Sequence, residues 1–124
     1  YRNTLKSLYL EPIELACGPD ERYQLTAAAL AAIDPAPDGL VLASPANPTG
    51  TIIAPDELAA IARVCKERGI RVVSDEIYHR ISYGEPAASM LEHDPQALGG
   101  EAVEQGDERV RAGEDAGVAA TSEV

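Results

Sequence analysis

The sequence predicts an α/β fold with a parallel sheet in a three-layer arrangement, on three observations. Strand-like and helix-like segments alternate over residues 1–95. The run Gly39 to Ala43 is apolar throughout, as expected of a strand covered on both faces. One helix-length segment joins that run to the next strand, and the order β-α-β-α-β implies parallel pairing with right-handed crossovers.

Each element has a local cause. Glu11 to Ala16 reads as a short strand closed by the turn residues Gly18, Pro19 and Asp20. Leu25, Ala28, Ala29, Ala32 and Ile33 recur at helical spacing, and Pro35 and Pro37 stop that helix. After the strand at Gly39 to Ala43, a second helix opens at Pro55, which suits a first helical position, with Asp56 and Glu57 at the positive end of its dipole. Its inward face is Leu58, Ile61, Ala62 and Cys65; Arg63, Lys66 and Glu67 point outward. Gly69 stands where a left-handed C-terminal cap belongs, and 70–74 is the third strand.

The composition changes near Pro95. All nine prolines and all five tyrosines lie at or before it, whereas residues 96–124 hold seven acidic groups, two arginines and half of the ten glycines. So few large aliphatics in a charged segment predict a disordered acidic tail. A shifted reading frame in a GC-rich gene would give such a stretch, and so would an unrelated fusion.

A chain of 124 residues suits one domain. Its formal net charge of −11 argues against nucleic acid or anionic membranes as partners. No apolar run approaches the roughly 20 residues needed to span a bilayer, and no signal peptide is evident, so a cytoplasmic setting is expected. Cys17 and Cys65 lack metal-ligand spacing and read as buried free thiols. His79 and His93 have no evident partner and read as surface residues. No metal site is expected.

In open parallel sheets, ligands bind beyond the carboxyl ends of the strands. Ser44-Pro45-Ala46-Asn47-Pro48-Thr49-Gly50 follows one strand, and Asp75-Glu76-Ile77-Tyr78 follows the next. The joining helix makes these strands neighbours, so Asn47, Asp75 and Tyr78 should face one crevice. Taken singly, the first motif could be only a turn, Asp75 a solvated strand-end acid and Tyr78 a packed ring with a wet hydroxyl. Their conjunction at adjacent strand ends makes the case for function.

Those paired motifs resemble the pyridoxal-phosphate-dependent class I/II aminotransferases of fold type I, and the resemblance runs from Tyr1-Arg2-Asn3-Thr4-Leu5 to about Pro95, part of the large domain. It implies an enzyme that moves an amino group between an amino acid and a 2-oxo acid, a pyridoxal 5'-phosphate cofactor, and a homodimer. It also implies that Asp75 pairs with the cofactor's pyridine nitrogen, keeping it protonated so that the ring serves as an electron sink. Asn47 and Tyr78 would hydrogen-bond the ring's phenolic oxygen.

The family also uses a Schiff-base lysine in a Ser-x-x-Lys context, which would fall near Gln105. The lysines of this sequence are Lys6 and Lys66, and neither matches that position. The phosphate loop, the ring-stacking aromatic and the substrate-carboxylate arginine have no counterpart either. The expectation is therefore a truncated large domain, inactive alone, with no catalytic residue of its own. A non-catalytic α/β binding or interaction module is the alternative, and lyases or decarboxylases of the same fold are a third possibility.

Overall fold

A computed structural model describes residues 1–84, 86–93 and 117–122. The elements in chain order are α1 (Arg2–Ser7), β1 (Glu11–Ala16), α2 (Ala27–Ala31), β2 (Gly39–Ala43), α3 (Pro55–Arg68), β3 (Arg71–Asp75) and β4 (Gly117–Ser122), with short 3-10 turns at Pro19–Glu21 and Met90–Glu92. The strands form one sheet in the order β1-β4-β2-β3, every pairing parallel.

Strand alternation assigns the two faces. Ile13, Leu15, Ala119, Leu40, Leu42 and Val72 project to one side and pack with Leu58, Ile61, Ala62 and Cys65 of α3 and with Leu25, Leu30 and Met90. Each fully buried Leu contributes about 1.5–3 kcal/mol relative to leaving it in water. On the other side Val41 packs with Leu5 of α1 and with Leu10. Helices on both faces give the three layers expected.

The inward and outward residues of α3 are those its periodicity predicts, and Gly69 caps it with φ +69°. Helix α3 also holds the five-residue α2 at both ends. The Glu57 carboxylate accepts a hydrogen bond from the Ala27 amide at 2.6 Å. Arg68 donates to the carbonyls of Leu30, Ala31 and Ile33 at 3.1, 3.1 and 2.6 Å. A helix this short cannot sustain itself, so its orphan amide and carbonyls are satisfied from its neighbour.

Several expectations are corrected. Arg2–Ser7 forms a helix with no predicted counterpart, fixed over β1 by an Arg2–Glu14 ion pair at 3.0 Å. Among the described residues the sheet has four strands, and β1 and β2 do not pair, because β4 lies between them. Residues 117–122 thus belong to the sheet, and Ala119 is fully buried. The short apolar run Val118-Ala119-Ala120 suits an inner strand; averaging over the acidic stretch hides it. The rest of the predicted tail, 96–116 and 123–124, lies outside the described residues. His79 and His93 are half-buried rather than on the surface, with His79 Nδ1 and His93 Nε2 removed from solvent and without a hydrogen-bond partner.

Both cysteines are buried thiols outside any disulfide, as expected. Burial, and then the charge of Glu21, push the Cys17 thiol up, which keeps it protonated and unreactive. Among the described residues no helix is long and apolar enough to cross a membrane, and no cluster of His, Cys, Asp and Glu could hold a metal ion.

Candidate functional site

The carboxyl ends of β2 and β3 lie side by side. Ala43 is in register with Asp75, and the Ser44 amide extends the ladder by donating to the Asp75 carbonyl at 3.1 Å. This pairing brings the loop carrying Asn47 to the strand end carrying Asp75 and, three residues on, Tyr78.

The Asn47 loop is braced from beneath. The Ala46 amide donates to the Thr51 carbonyl at 2.9 Å, and the Gly50 amide returns to the Ala46 carbonyl at 2.8 Å. Gly50 takes φ +67°, a left-handed conformation that favours glycine. Below the loop, buried Ser44 accepts from the Ile53 amide at 3.0 Å. Buried Gln24 donates through Nε2 to the Thr51 carbonyl and hydroxyl at 2.8 and 2.9 Å. Asn47 is left exposed at the tip of this closed loop. The peptide bonds Ser44–Pro45 and Asn47–Pro48 are both cis.

Asp75 is half-buried and, by alternation, lies on the α1 side of the sheet with Val41, Ala43 and Val73. One carboxylate oxygen accepts from the Ile77 amide at 3.2 Å, and the other accepts from the Tyr1 hydroxyl. Tyr78 follows in the turn after β3 and is 38% exposed. Ser74 and Glu76 take the core side. There Glu76 Oε1 accepts from the Ser74 hydroxyl at 2.8 Å and the Met90 amide at 2.9 Å.

The three predicted residues therefore share one end of the sheet. A carboxylate, a carboxamide and a phenol are the donor and acceptor set that a protonated ring nitrogen and a neighbouring ring oxygen call for, so the chemistry of the group implied by the resemblance fits. Sequence reasoning missed Tyr1, Gln24 and Glu76. For Glu76 a signal existed, since alternation through Ser74-Asp75-Glu76 sends two polar groups inward, where each must find a partner. Tyr1 and Gln24 carry no local signal, because their partners lie far along the chain.

A family model described as aminotransferase class I and II matches residues 1–109. A valine–pyruvate aminotransferase of Mycobacterium tuberculosis is 54% identical over 90 residues, which cover 72% of this chain and 23% of that protein. Among solved structures, an aminotransferase from Mycobacterium tuberculosis matches with a TM-score of 0.67 and 52% identity, over 72% of this chain and 23% of the other. The aspartate aminotransferase of Thermus thermophilus matches with a TM-score of 0.63 and 32% identity, over 68% and 22%. The chain thus spans about a quarter of the length of these relatives.

Proposed function

The chain belongs to the class I and II aminotransferase family, and from that premise we propose that it is the cofactor-ring portion of an enzyme that moves an amino group between an amino acid and a 2-oxo acid. The observation that carries this reading is the Ala43–Asp75 register, which sets the Asn47 loop beside the Asp75 carboxylate. Pyridoxal phosphate, when bound, supplies the electron sink that makes a substrate Cα proton acidic.

The residues of this chain do the holding. Asp75, its carboxylate oriented by the Ile77 amide, would hold the ring nitrogen and keep its proton in place. Asn47 and Tyr78 would hold the ring's phenolic oxygen through an amide N–H and a hydroxyl and favour its ionised form. The Tyr1 hydroxyl, on the same carboxylate, would share Asp75 with the ring. The lysines of this sequence are Lys6 on α1 and Lys66 on the exposed face of α3. The 124-residue chain by itself should accordingly hold the ring without a covalent bond and show no transamination. Homodimerisation and a cytoplasmic setting follow the same reading.

The test uses 4-deoxypyridoxine 5'-phosphate, a cofactor analogue with no aldehyde, so that no lysine is required. Titration of the purified chain should give saturable binding, and Asp75→Ala should weaken it about tenfold or more, since a charge-assisted hydrogen bond is removed. Equal binding by wild type and variant would refute the assignment of Asp75. No binding by the wild type would refute the proposal that this chain by itself holds the ring.

A further inference from the structure

Two adjacent carboxylates end β3, and only the first has a part in the reading above. Asp75 lies on the open side of the sheet, whereas Glu76 turns to the core side. Its Oε1 takes the Ser74 hydroxyl and the Met90 amide. Met90 is fully buried, and Ser89, also buried, caps the following turn by accepting from the Leu91 amide at 3.3 Å. Through its side chain, Glu76 therefore ties the end of β3 to a segment that is itself anchored beneath α3.

The same residue organises the turn beyond. The Glu76 carbonyl accepts from the His79 amide at 2.8 Å, and the Tyr78 carbonyl accepts from the Ile81 amide at 2.9 Å. Ile77 and Ile81 are largely exposed, so this turn has little apolar packing of its own. Its direction rests on the Glu76 anchor at one side and on the Asp75–Ile77 contact at the other.

We propose that Glu76 is a positioning residue: by binding the Ser74 hydroxyl and the Met90 amide on the core side it fixes the strand end that presents Asp75 and the turn that presents Tyr78. Its functional consequence rests on the cofactor reading of Asp75; the anchoring itself does not.

The experiment compares the full chain with Glu76→Ala and Glu76→Gln. Amide hydrogen exchange is followed by NMR at Met90, Ile77 and His79, with α3 amides as an internal reference, and 4-deoxypyridoxine 5'-phosphate is titrated into each protein. In Glu76→Ala, exchange at all three amides should rise about tenfold or more over the α3 reference, since hydrogen bonds to a charged acceptor are lost. Analogue affinity should fall several-fold, and the absorbance of the bound ring, which reports its nitrogen's protonation, should shift. Glu76→Gln keeps one acceptor oxygen and should restore part of each effect.

If only Met90 responds, while Ile77, His79 and analogue binding stay as in the wild type, Glu76 is merely a structural tie and the proposal fails. Should Glu76→Ala not fold, Glu76→Gln decides, and unchanged exchange at Ile77 and His79 refutes the proposal. If no protein binds the analogue but exchange rises as stated, the anchoring stands and the cofactor reading falls.

Discussion

Leu42 and Val73 belong to paired strands of one sheet, yet Leu42 is fully buried and Val73 is 62% exposed. The difference is one of face. Leu42 points at α3, where residues of four strands and two helices converge on a closed apolar cluster. Val73 points the other way, toward a side covered by α1 over Val41 but not over β3. The polar groups divide likewise. Those on the core side, Ser44, Gln24 and Glu76, are buried or half-buried and spent on protein partners, while Asn47 and Tyr78 are exposed and Asp75, half-buried, is bonded by the Tyr1 hydroxyl and the Ile77 amide. One face makes the scaffold and the other displays its chemistry.

If that division holds, truncating the covered face should do the most harm. Leu42→Ala should cost about 2–5 kcal/mol, because the lining of a closed cluster collapses only in part around the cavity. Against a typical total of about 5–15 kcal/mol, such a loss should move the urea midpoint far down or leave the chain unfolded. A loss below about 1 kcal/mol would mean that the cluster around α3 is not the core.

A smaller effect should come from the carboxylate that joins the two faces. Burial alone would raise the pKa of Glu76, but the Met90 amide, the Ser89 and Ser74 hydroxyls and the nearby His79 outweigh it and hold the carboxyl below its ordinary value. A group whose pKa is lowered on folding stabilises the protein above its unfolded value and loses that contribution as pH falls through the folded one. Melting temperatures recorded from pH 6 to pH 3 should therefore fall at the acid end, and Glu76→Gln should flatten that fall. An identical acid slope in both proteins would remove Glu76 from the account.

Much of the scaffold was legible because its causes are local. The bounds of β1, β2 and α3, the inward residues of α3 and the Gly69 cap all follow from periodicity and cap chemistry within a few residues. The placement of Asn47, Asp75 and Tyr78 at one end of the sheet was legible for a related reason: a single helix joins β2 to β3, so their carboxyl ends lie together. What escaped is non-local. Helix α2 is shorter than its apolar spacing suggests, since its ends depend on Glu57 and Arg68 of α3. Strand β4 enters between strands that lie early in the sequence, and Tyr1 meets Asp75 across nearly the whole described fold. No window along the chain contains both partners of such a contact.

The smallest predicted effect is the sharpest check on the open face. Val73→Thr keeps the β-branched shape and the strand propensity, so it changes little except the polarity of one side chain. Where that side chain already meets water, the cost should stay within about 0.5 kcal/mol, as for other surface changes. Inside a closed core the same hydroxyl would be buried without a partner, at about 1–3 kcal/mol. A cost in that upper range would show that something covers Val73 in solution. Repeating the measurement over a range of protein concentrations separates the two sources: a second copy of the chain gives a cost that grows with concentration, and a contact within one chain does not. A cost near zero at every concentration leaves the face open beside Asp75, as the ligand reading requires.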